Sequence, residues 1–122
     1  MKLKVRDVLN AKEPLGIIVT SKISVSVAYK LLPTIDAVEK AINDYEKIRV
    51  AKIHSYGETK DNKTEVLPKN MKVFMEEIEE AQNQEIELPD FTLSLKMLEE
   101  KNLEIEPVDL QAIKWLITDD TN

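Results

Sequence analysis

Residues 24–56 read SVSVAYKLLPTIDAVEKAINDYEKIRVAKIHSY. Within them Ala28, Leu31, Ile35, Val38, Ile42 and Tyr45 recur at steps of three, four, three, four and three. That spacing lays one apolar stripe along an α-helix and comes close to a coiled-coil seam. It predicts a helix over about 24–56, roughly 50 Å long at 1.5 Å per residue. Ser24 and Ser26 are candidate N-caps, because a serine oxygen accepts from the unpaired N–H groups of a first turn. Lys47, Arg49, Lys52 and His54 gather at the other end, where positive charge complements the helix dipole. Gly57 is expected to end the helix in a left-handed conformation. Pro33 falls inside the run. It lacks a backbone donor and crowds the preceding turn, so it either kinks the helix at Leu32–Pro33 or opens a new one. The stripe keeps its phase through Pro33, which favours the kink. The break near Arg49 leaves too few unbroken heptads for a long coiled coil. The stripe is the spine of a helical domain, and any part left uncovered is where a partner is sought.

The flanks are less regular. Leu3, Val5, Val8 and Leu9 fit an amphipathic helix that Pro14 and Gly16 are expected to break. The alternative is a hairpin, since Ile17 to Val27 is rich in β-branched residues and alternates in its second half. Residues 58–68 read as an exposed loop with Asp61-Asn62 as a turn pair; a short hairpin with Thr64-Glu65-Val66 as its second arm is the alternative. Lys69 to Gln84 is a further helix, with Met71, Phe74, Ile78 and Ala81 on one stripe and Asn70 as its cap. Glu85 to Leu88 alternates and stops at Pro89, which suits an edge strand; Leu103 to Ile105 alternates too and is a candidate partner for 86–88. Leu95 to Glu100 reads as a helical turn ending near Asn102. A last helix starts at Pro107, a favoured first-turn residue, carries Leu110, Ile113, Leu116 and Ile117 inward, and frays over 119–122.

Composition sets the class. The chain has 122 residues, enough for one domain, and its 43% hydrophobic content is enough for a core. Only 2 glycines argue against all-β folds with many tight turns. The reading is mainly α, one domain over 1–122 built on one long kinked helix, with room for a short two-stranded β element. A net charge of −6 gives no general attraction to nucleic acid. With 0 cysteines, disulfides, thiolate metal sites and cysteine nucleophiles are excluded. The most apolar stretch, Leu15 to Val19, is far too short to span a bilayer. Nucleic acid and membrane are therefore not expected as direct partners.

No motif carries a chemistry. His54 is the single histidine and lies in a basic helix end, whereas triads and most zinc sites need a histidine with a placed partner. Glu76 and Glu80 share a helical face with Glu77 and Glu79 nearby, but a cation cage needs ligands converging from several elements. Lys60, Lys63, Lys69 and Lys72 surround the 58–68 stretch and are suited to a phosphate or an acidic partner, or simply to solvation. Trp115 serves equally a core cap or a binding hot spot. No catalytic, cofactor or metal residues are assigned, and no enzyme is expected. Tyr45, Ile48, Trp115, Glu76 and Glu80 are the candidate interface residues.

Several stretches carry a resemblance: Lys2-Leu-Lys-Val-Arg-Asp-Val-Leu, Val25-Ser-Val-Ala-Tyr-Lys-Leu-Leu, Tyr45-Glu-Lys-Ile-Arg, and His54-Ser-Tyr-Gly-Glu-Thr-Lys-Asp-Asn-Lys. Glu85-Ile-Glu-Leu-Pro and Leu103-Glu-Ile-Glu-Pro-Val-Asp-Leu, followed by a helix and an acidic tail, complete it. The chain resembles a family of small proteins, without established activity, encoded by bacteriophages and prophages of Gram-positive hosts. The resemblance implies a viral context and a mostly helical fold, and transfers no functional residue. The leading expectation is a non-enzymatic structural or interaction protein in virion assembly, forming homo-oligomers or binding another phage or host protein, in the host cytoplasm or the virion. The alternatives are an inhibitor of a host defence or metabolic enzyme, acting by contact or by mimicking nucleic acid, and a nucleotide or small-molecule binder using the lysine-rich stretch.

Overall fold

A computed structural model describes residues 1–119. The expected fold class holds: helices dominate, and the strands form small two-stranded sheets. The 24–56 stretch is one helix, α2 (Val25–Tyr56), continuous through Pro33. Pro33 is exposed, and the carbonyl it cannot bond belongs to the exposed Tyr29, on the side where water replaces the lost partner. Ser24 rather than Ser26 is the cap, its Oγ accepting from the Val27 N–H at 3.3 Å. Lys40–Asp44 (2.7 Å) and the Arg49–Glu46 pair brace the outer face.

The stripe packs as its spacing demands, shifted slightly around the helix. Leu31, Thr34, Val38, Ala41 and Tyr45 are its buried residues, with Ala28, Ile35 and Ile42 half-buried beside them. The chain covers this face itself. The helix α1 (Val5–Val19) contributes Val8, Ala11, Leu15 and Ile18 to the same core. Pro14 does not break it, because the carbonyl freed four residues back belongs to Asn10, which faces solvent. The hydroxyls of Thr20 and Ser21 then close the helix on the Gly16 and Ile18 carbonyls at 2.8 and 2.6 Å. The hairpin alternative for 17–27 is therefore not realised.

Gly57 does not end α2 in a left-handed turn. Its φ of −113° and ψ of 179° are extended, and the chain runs straight on into strand β2 (Gly57–Lys60), paired antiparallel with β3 (Lys63–Val66). So the 58–68 stretch is a hairpin rather than a loop. Asp61 and Asn62 hold φ of 52° and 65°, the two positive values that a tight two-residue hairpin turn requires. Glycine is needed at 57 for space: a methyl there would run into the Ile53 carbonyl oxygen and come within 2.6 Å of that of Glu65.

A 3₁₀ turn at Pro68–Asn70 delays the next helix, so α3 spans Met71–Gln82 rather than 69–84. Asn70 does not cap it; its amide donates to the Tyr56 carbonyl at 3.0 Å and ties the hairpin's exit to the end of α2. Phe74, Ile78 and Ala81 face a second core cluster with Val5 and Tyr45, while Met71 is turned outward.

Strand β4 (Glu85–Glu87) pairs antiparallel with β1 (Lys2–Lys4), not with 103–105, which forms no strand. The register sets Lys2 against Glu87, Leu3 against Ile86 and Lys4 against Glu85. Opposite charges directly opposed are the favourable arrangement. A parallel pair, β5 (Leu93–Ser94) with β6 (Ile117–Thr118), closes the C-terminal part. Between them lie α4 (Leu95–Glu100), ended by Asn102 at φ 52°, and α5 (Pro107–Ala112). The last helix stops earlier than expected and continues as a 3₁₀ turn, Lys114–Leu116, yet Ile113 and Leu116 remain fully buried. Of the expected fraying tail, Asp119 is exposed and 120–122 lie outside the described residues.

Candidate interaction surface

The five candidate interface residues do not converge. Tyr45 is only 9% exposed, in the second core cluster, and its hydroxyl accepts from the Gln82 side chain at 3.0 Å. It is enclosed by α3 and unavailable to a partner. Trp115 is half-buried against the main core, and its Nε1 donates to the Ala112 carbonyl at 3.1 Å. Ile48, Glu76 and Glu80 are open to solvent. His54 is exposed in the last turn of α2. Among the described residues, no three histidine, aspartate or glutamate side chains are grouped to hold a metal ion. No helix there is long and apolar enough to cross a membrane.

Two other surfaces stand out. The first is the outer side of the start of α2. Val25, Tyr29 and Leu32 are spaced four and three apart and are 87%, 75% and 50% exposed. At 100° per residue they project from the side opposite Leu31, Thr34 and Val38. Leu32 also lines a depression of about 310 Å³ with Val19, Ile23 and Ile35. Beside it, a groove of about 390 Å³ between α1 and α2 is floored by Leu15, Val19, Ile35 and Ile42. Apolar side chains gathered on one exposed face, rather than scattered, mark contact surfaces.

The second is the outer face of the hairpin. Strand alternation puts Thr59 and Thr64 on one side, their hydroxyls 2.7 Å apart. Glu58, Lys60, Lys63 and Glu65 are all exposed and line a concavity of about 330 Å³ floored by Leu67 and Pro68. Glu58 lies directly opposite Glu65, and Lys60 directly opposite Lys63.

A small polar cluster joins α2 to α3. Lys52 Nζ is 3.3 Å from Glu77 Oε1. The Tyr56 hydroxyl, and then Lys52, hold the Glu77 carboxyl below the usual carboxylate range, and the carboxylate in turn pushes the Tyr56 hydroxyl up. This cluster fastens two helices.

The exposed apolar row was legible as letters but hidden by the dominant stripe, because Val25, Tyr29 and Leu32 fall on the complementary helical phase. The hairpin's charge rows become visible only once the Asp61-Asn62 turn fixes the register. No protein-family model matches the chain, and neither curated protein sequences nor solved structures give a significant match.

Proposed function

We propose that this chain is a phage-encoded, non-enzymatic structural or interaction protein that works by protein–protein contact, with virion assembly as its setting and a second copy among its partners. The observation that carries the reading is the Val25, Tyr29 and Leu32 row, which the chain's own helices leave uncovered. Fully burying a side chain of this kind is worth about 1.5–3 kcal/mol, so three together give a contact its apolar centre. Size-exclusion chromatography with light scattering tests it, the mass rising above 14.0 kDa with concentration. A clean monomer at high concentration, together with absence from purified virions, counts against it. The exposed Glu76, Glu79 and Glu80 on α3 support the second reading, an acidic inhibitor of a host enzyme. Stoichiometric capture of one host enzyme from lysate would favour that reading over assembly.

A further inference from the structure

The two small antiparallel sheets treat charge in opposite ways. In β1–β4 every lysine faces a glutamate across the ladder. In β2–β3 glutamate faces glutamate and lysine faces lysine. Like charges directly opposite one another destabilise a strand pair. None of Glu58, Lys60, Lys63 and Glu65 is in an ion pair among the described residues. The diagonal partners that could relieve the repulsion are left unused. The face therefore carries an acidic row near its base and a basic row near its tip, about 6–7 Å apart by the strand repeat.

A partner of one sign answers one row and is repelled by the other. A polyanion meets the two glutamates, and a cation meets the two lysines. What fits both rows is a surface with a basic pair and an acidic pair at the same separation and in reversed order. This hairpin supplies that surface itself. A two-fold axis lying between the rows, parallel to the face and across the strands, lays the acidic row of one copy on the basic row of the other, twice. It also brings the Asp61-Asn62 tip of each copy over the Leu67-Pro68 floor of its mate. We propose that the outer hairpin face is a two-fold contact between two copies of this chain. The inference deepens the self-association in the functional reading above and locates one of its contacts. It uses no residue of the Val25, Tyr29, Leu32 row, so the two surfaces fail separately.

Three variants test it by sedimentation at low and high salt. In the basic variant, Glu58→Lys/Glu65→Lys, and in the acidic variant, Lys60→Glu/Lys63→Glu, each face repels its own kind. Each alone is expected to associate roughly tenfold to a few hundredfold more weakly than the wild type, the range four exposed ion pairs span. An equimolar mixture of the two is expected to recover a species of twice 14.0 kDa, and salt is expected to dissolve it. Because four like charges strain the hairpin, a neutral variant with Gln at all four positions completes the set. Relieved of both repulsive rows, it is expected to melt no lower than the wild type while losing the salt-sensitive part of the association. Salt-sensitive association that survives in the neutral variant, a mixture that stays at 14.0 kDa, or a wild type whose association does not weaken with salt would each overturn the proposal.

Discussion

Replacing Thr34 with valine is expected to stabilise the protein, although it removes a polar group from a natural core. Thr34 lies in the middle of the α2 stripe with no exposed surface. Among the described residues its Oγ1 has no hydrogen-bond partner. A buried hydroxyl left unpaired costs about 1–3 kcal/mol of lost hydration. Valine has nearly the same shape and the same branching at Cβ, so it opens no cavity. The expected gain is about 1–2 kcal/mol. For a domain of this size that corresponds to a rise in Tm of about 3–6 °C. Urea unfolding followed by circular dichroism should show a higher midpoint with an unchanged slope, since the surface exposed on unfolding hardly changes. Thr34→Ala is the companion: it also removes the hydroxyl, but it deletes the methyl and leaves a hole, so it should fall below the valine variant. A valine variant less stable than the wild type by about 1 kcal/mol or more would refute the reasoning. It would mean that the hydroxyl is bonded in solution and that this position is satisfied.

Gly57→Ala is expected to destabilise by about 2 kcal/mol or more, because the added methyl meets two backbone oxygens that cannot swing away; thermal melting checks it, and a neutral effect would mean that the helix–hairpin junction relaxes freely. Ser24→Ala should cost about 1 kcal/mol through loss of the cap on α2, read from the urea midpoint. Glu77, held below the usual carboxylate range by Tyr56 and Lys52, contributes stability that is complete above that range and is lost as the pH falls through the lowered value. Asp44 beside Lys40 and Glu46 beside Arg49 act in the same direction. Stability should therefore decline on acidification below about pH 4, and Tyr56→Phe should flatten part of that decline; an unchanged acid profile in the variant would remove Tyr56 from the cause.

The parts of the fold that could be read in advance are those specified locally. The α2 stripe survives Pro33 because the proline falls on the exposed side; in α1 Pro14 is buried, and the helix continues because the carbonyl it frees belongs to the exposed Asn10. The hairpin is different. Its strands, Gly57–Lys60 and Lys63–Val66, carry no apolar alternation, and their polar letters read as a loop. What makes them pair is the positive φ of Asp61 and Asn62, the Thr59–Thr64 contact and the tie from Asn70 to the end of α2. The β1–β4 sheet was hidden because its partners lie more than eighty residues apart and each strand has only 3 residues. The matching patterns Lys-Leu-Lys and Glu-Ile-Glu were its one signal. Tyr45 reads as a candidate interface residue because an aromatic at the end of a stripe looks uncovered until α3 is folded over it, where it is buried. The exposed row at Val25, Tyr29 and Leu32 lay in plain view, but only the burial of the opposite phase shows that no described part of the chain covers it.

The claim that this chain works through contacts between proteins is tested most directly by its solution mass as a function of concentration. The comparison, made at high salt where the charged hairpin contact is screened, is the wild type against Val25→Asp/Tyr29→Asp/Leu32→Asp. These side chains are exposed at 87%, 75% and 50%, so the triple variant should keep its melting temperature. The account predicts a wild-type mass that climbs above 14.0 kDa with concentration and a variant that stays at 14.0 kDa. A wild type and a variant that both remain at 14.0 kDa throughout, or that associate equally, would contradict it.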